Sequence, residues 1–177
     1  MCRVVFGAAL LGAGLLIGCS TEAKAPAVAD NVRASLKQAG LKDVSVKQDR
    51  EKGVVTLGGT VPADPQKVQA QQLAQAAAGD QVVANEIAVV PPNDASTTKT
   101  LYSDLDKGID SNLDAALLSG GYRSGIHHSV KNGVVTLTGT VDSENQRQQV
   151  QTIARNVPNT QQVVNELETR HEKATSN

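Results

Sequence analysis

Cysteine, histidine and clustered carboxylates are the side chains of this sequence that could ligate a metal or attack a substrate. The 177 residues hold two cysteines and three histidines. His127 and His128 are adjacent in "GIHHSV", a stretch that alternates like a strand. Neighbours on a strand point to opposite faces, so the pair does not converge on one ion. Two imidazoles are also too few for a closed zinc site, and no cysteine nearby completes one. His171 stands in the polar segment "HEKATSN" (171–177), which reads as a disordered tail. No glycine-rich phosphate loop occurs, and no nucleophile motif surrounds a serine. No catalytic residue, metal site or cofactor is expected, and an enzyme is not the favoured reading.

Lysines beside tyrosines are a second kind of candidate. Tyr102 and Lys107 precede, and Tyr122 and Arg123 follow, a helix-like run, and a tyrosine near a cation suits a lipid headgroup interface. These four are the membrane-contact candidates. Asp104, Asp106, Asp110 and Asp114 share the segment and oppose acidic lipid. Lys37, Lys42, Lys47 and Lys52 are interleaved with Asp43, Asp49 and Glu51, which reads as a mixed solvated surface. The formal net charge is −1 and aromatic content is 2%, so neither a basic patch nor a stacking platform points to nucleic acid.

Cys19 carries a more specific signal. One charge at Arg3 is followed by an apolar stretch from Val4 to Ile17, the length of a signal-peptide core and short of the roughly 20 residues that span a bilayer. Leu16-Ile17-Gly18-Cys19 resembles the lipobox of bacterial lipoproteins. That resemblance implies cleavage after Gly18, a diacylglyceryl thioether on Cys19 and acylation of the new amine. Residues 1–18 are then a signal peptide and 19–27 a flexible tether. Ser20 rather than Asp leans toward an outer-membrane anchor facing the periplasm. Cys2 falls in the removed segment, leaving no thiol for a disulfide or a Cys-ligated metal.

The elements that would position these residues are written twice. "GVVTLGGTV" at 53–61 returns as "GVVTLTGTV" at 133–141. Val55, Leu57 and Val61 share one strand face, as do Val135, Leu137 and Val141, so each phrase is a half-buried strand. Asn132-Gly133 suits a two-residue hairpin turn, with a short strand around Ile126–Val130 before it; "VSVKQ" at 44–48 stands before the first phrase. Asp64-Pro65 and Ser143 with Gln146 then mark helix starts. Ala70, Leu73, Ala74 and Ala77 follow at helical spacing, matched by Val150, Ile153, Ala154 and Val157. A last apolar run closes each copy. Val32 and Leu36, and Ile109, Leu113 and Leu117, mark a preceding helix in each, out of phase by one residue. The fold class is α+β, with two units of order helix, strand, strand, helix, strand.

Gly53-x-Val55-x-Leu57-x-Gly59-x-Val61, then Ala74, then Val83-x-Asn85-x-Ile87, resembles the BON domain. Gly133 through Val141, Ala154 and Val163-x-Asn165-x-Leu167 match it again. The chain as a whole is similar to the dual-BON lipoproteins of the Gram-negative envelope. The resemblance implies tandem αββαβ domains over 28–90 and 105–170, joined by a linker at 91–104. It also implies a non-enzymatic envelope role in stress response and envelope integrity, with membrane phospholipid as partner. A periplasmic protein-interaction or chaperone-like module, contacting another envelope protein, is the alternative. Gly53, Gly59, Gly133 and Gly139 read as turn and close-approach glycines, and Asn85 and Asn165 as inward side chains satisfying local backbone. Before the last strand the first copy has Gly79, whereas the second departs from the family pattern with Pro158-Asn159-Thr160.

Overall fold

The computed structural model describes residues 24–92, 94–122 and 124–170. Cys19, Arg123 and His171 lie outside them. The first unit runs α1 (Ala29–Gln38), β1 (Val44–Asp49), β2 (Val54–Val61), α2 (Asp64–Ala78), β3 (Val82–Asn85) and β4 (Ala88–Val89). The second runs α3 (Ala95–Ser119), β5 (Ile126–Lys131), β6 (Val134–Val141), α4 (Glu144–Arg155) and β7 (Gln162–Thr169). In each, the repeated phrase is the central strand. It pairs antiparallel with the hairpin partner before it and parallel with the strand after the helix.

Burial explains why these patterns fold this way. Val55, Leu57 and Val61 face the helices with Val32, Leu36, Ala70 and Ala74 in one core. Val135, Leu137 and Val141 do the same with Ile109, Leu113, Val150 and Ala154. Ser143 caps α4 by accepting from the Gln146 N–H at 3.3 Å, and Gln146 Oε1 accepts from the Asp142 N–H at 2.8 Å. Asp64 differs from expectation: Ala63 is the cap residue, and Asp64 and Pro65 are the first two helical positions. A proline there forfeits only an amide that has no partner within the helix. At the turn before the last strand, Asn159 (φ 68°) and Gly79 (φ 63°) both have positive φ, but α2 runs on to Ala78 whereas α4 stops at Arg155. The departure in sequence changes the turn, with Pro158 and Asn159 as its central residues in place of Gly79 and Asp80, and asparagine tolerates positive φ best after glycine.

The tether and the linker differ from expectation, and the two hairpins differ in length. The hairpin joins Asp49 to Val54 through four residues in the first unit, but Lys131 to Val134 through Asn132 and Gly133 alone. The copies are therefore out of step in the hairpin as well as before it. The tether ends early: Ala25 exchanges hydrogen bonds with Arg50, and Gln48 and Gln81 both donate to the Pro26 carbonyl. Residues 95–104, expected in a linker, are the first turns of α3. Their Ser/Thr-rich composition argues against a free-standing helix, but tertiary contacts override propensity here. The Tyr102 phenol oxygen accepts from the Val89 N–H at 3.3 Å, fastening α3 to the first unit.

The two units also dock on each other. Val54, Ala84, Val134 and Val164 lie on the sheet faces away from the helices and form a buried cluster between the units. Glu166 on β7 pairs with Lys52 in the first hairpin at 2.7 Å, while Glu86 pairs with Lys131 at 2.9 Å and accepts from Asn132 Nδ2 through its carbonyl at 2.7 Å. Each hairpin thus meets the glutamate of the other unit's last strand segment. This is the reciprocity of a two-fold interface, built within one chain. Gln162 closes it, accepting from the Asn85 N–H at 3.0 Å and donating to the Val83 carbonyl at 2.6 Å.

Candidate functional site

The repeated polar residues are structural latches. Asn85 donates to the Lys67 carbonyl and to Gln71 Oε1 on α2, and accepts from the Ile87 N–H. Asn165 makes the same three contacts with Arg147, Gln151 and Leu167. A side chain on Gly59 or Gly139 would collide with the carbonyl of Asp43 or Gly125, and both have positive φ. Gly53 and Gly133 hold positive φ at their hairpins. These six positions secure strands and turns, and leave ligand chemistry to other residues.

A cleft of about 790 Å³ opens between the units. Thr60, Ala88 and Val90 wall it on one side, and Tyr102, Lys107 and Val130 on the other. Lys99, Lys131, Asp106 and Asp110 also reach it. Asp106 is already committed, because its carboxylate accepts from the Asn132 and Gly133 N–H groups at 2.8 and 2.9 Å. Away from the cleft-lining face of α3, Leu101 and Leu105 stand one turn apart, 57% and 37% exposed. The sequence held this signal in the i, i+4 leucines, but reading residues 91–104 as linker left Leu101 outside the helix.

The described membrane-contact candidates, Tyr102, Lys107 and Tyr122, do not form one patch. Tyr102 and Lys107 border the cleft, with the Tyr102 phenol turned onto β4 and Lys107 paired to Asp104 at 3.3 Å. Tyr122 lies past the far end of α3, where its phenol donates to Gln149 Oε1 at 2.7 Å. Twenty helical residues span about 30 Å, so the two tyrosines serve different surfaces. Of the interface lysines, Lys52 has its pKa raised, chiefly by the hydrogen bond to Glu166. Burial lowers that of Lys67, which donates to Gln161 Oε1 across the interface at 3.0 Å.

One group escaped the sequence reading altogether. His127 and His128 do point to opposite faces, but His128 meets Asp110 and Asp114 of α3, with Nε2 3.0 and 3.7 Å from their carboxylates. No helix among the described residues is long and apolar enough to cross a membrane.

Fold and surface together define a class: two αββαβ units fused face to face, with a cleft at the seam. The BON-domain pattern matches residues 25–91 and 105–171, and the chain belongs to the BON-domain family. Osmotically-inducible protein Y of Escherichia coli (strain K12) is 32% identical over 143 residues, an alignment covering 80% of this chain and 65% of that protein. Two solved structures of CdsD, a structural protein of the type III secretion system of Chlamydia trachomatis, align at 14% identity with a TM-score of 0.33. They cover 79% and 83% of this chain and 63% and 64% of theirs. Similarity at that level carries no argument about role.

Proposed function

We propose that this chain is a non-enzymatic envelope protein, lipid-anchored through Cys19 at the outer membrane, facing the periplasm and supporting envelope integrity under osmotic stress. Its contact with anionic phospholipid runs through the N-terminal half of α3. The observation that carries this reading is the exposed Leu101/Leu105 pair, on the same helix turns as Lys99 and Lys107 of the cleft face. Exposed apolar side chains on a helix that carries cations on a neighbouring face suit the boundary between headgroups and acyl chains. Membership of the BON-domain family and likeness to an osmotically inducible protein support the setting. An anchor on a short tether would keep even a weak contact engaged through its high effective concentration.

The test is flotation of residues 20–177 with phosphatidylglycerol vesicles and with phosphatidylcholine vesicles, at low and high salt. Binding is expected on the acidic vesicles at low salt, with loss in Leu101→Asp and Lys107→Glu and weakening as salt screens the charges. Failure to float with acidic vesicles at low salt would replace this reading with the protein-interaction one, for which the cleft is the surface. For the anchor, Cys19→Ala is expected to abolish metabolic lipid labelling. Unchanged labelling would remove the lipoprotein assignment.

A further inference from the structure

We infer that Asp110, Asp114 and His128 bind a divalent transition-metal cation, with two carboxylate oxygens and one imidazole nitrogen as ligands. Asp110 and Asp114 are one helical turn apart on α3 and so share a face. His128 lies on the inward parity of β5, beneath that face. One ligating atom from each of the three falls within 4.8 Å of the others. Ligands about 2.1 Å from a tetrahedral ion sit roughly 3.4 Å apart, between the observed 3.0 and 3.7 Å separations. The site is more than an acidic pair, because the His128 side chain is only 10% exposed and aims Nε2 at both carboxylates.

The first unit shows that the fold does not need this arrangement. His128 pairs with Leu137 as Val46 pairs with Leu57, so valine fills the equivalent place there. Taking Val32 and Leu36 as the counterparts of Leu113 and Leu117, Asp110 and Asp114 correspond to Ala29 and Arg33. All three ligand positions are therefore apolar or cationic in one unit and metal-ligating in the other. Two carboxylates against one imidazole leave excess negative charge whether or not the ring is protonated. The nearest helix cation, Lys107, pairs with Asp104 instead. The mixed nitrogen and oxygen donor set favours zinc, cobalt, nickel or manganese over calcium or magnesium, which prefer oxygen alone. Asp110 also borders the cleft, leaving the remaining coordination positions open to water or a ligand.

The test uses residues 20–177 with zinc and cobalt salts, read by calorimetry, the visible spectrum of bound cobalt, and thermal unfolding with and without chelator. One ion per chain is expected, with a tetrahedral or five-coordinate cobalt spectrum and a melting temperature raised by zinc. Asp110→Asn and Asp114→Asn should weaken binding at least about tenfold, the low end of what even outer-shell partners contribute. His128→Val, which installs the first unit's residue and should fold, should abolish it; His127→Ala should change nothing. No saturable binding, or binding that survives His128→Val, would overturn the proposal and leave the cluster an ion pair. Vesicle flotation in chelator separates this outcome from the lipid reading.

Discussion

The two units share the residues that latch their strands and allow close approach, and differ in hairpin length, in the first helix and at single inward positions. Asn85 and Asn165 make the same contacts, as do Gly59 and Gly139. The first helices, by contrast, run 10 and 25 residues, and Val46 becomes His128. What both copies keep is what the αββαβ fold requires. What only the second has, a long α3 with exposed leucines and an acidic cluster over a histidine, is free to serve something else.

The comparison breaks hardest in the cores. Leu57→Ala and Leu137→Ala are both 0% exposed positions and should each cost about 2–5 kcal/mol in urea unfolding. Because the units dock, both should shift one shared transition; separate transitions would show the units fold independently. Val134→Asp places a carboxylate in the cluster between the units, a cost of several kcal/mol unless they part. It should split unfolding into two transitions and enlarge the radius measured by solution scattering. Gly59→Ala and Gly139→Ala should destabilise by similar amounts, at least about 1–3 kcal/mol, through strain at positive φ and collision with the Asp43 or Gly125 carbonyl. Unequal losses would show that only one unit depends on the close approach.

The smallest effect is electrostatic. Lys52 has its pKa raised above the ordinary 10.5, so its stabilisation is full below that value and fades as pH rises through the raised one. Lys67 has a lowered pKa, so charging it opposes folding and its deprotonation acts in the other direction. Glu166→Gln should therefore flatten the alkaline loss of stability by well under about 1 kcal/mol, since Lys52 is partly exposed.

Much of the fold was legible because it follows local rules. Alternating valines, the Asn132-Gly133 turn and the Ser143 cap each act within a few residues. Docking was not read, although Val54-Val55, Val134-Val135 and Val163-Val164 place valine on both strand faces, the pattern of a sheet covered on both sides. The helical start of α3 was hidden because its order comes from β4, a contact that no local pattern encodes. The Asp110–Asp114–His128 group was hidden for the same reason. Helical spacing aligns the aspartates, but only the packing of α3 on β5 brings the histidine beneath them.

The reciprocal seam also has a thermodynamic consequence. Its apolar part is four small side chains, far short of what holds two free proteins together. It is sustained because residues 90–94, between β4 and α3, turn an encounter between molecules into one within a molecule. Cleavage between Pro91 and Asp94 would leave both cores intact and make the seam depend on concentration, so that diluting the nicked protein separates its halves. At high concentration the same self-matching faces would pair between chains, giving an exchanged dimer without a single new contact.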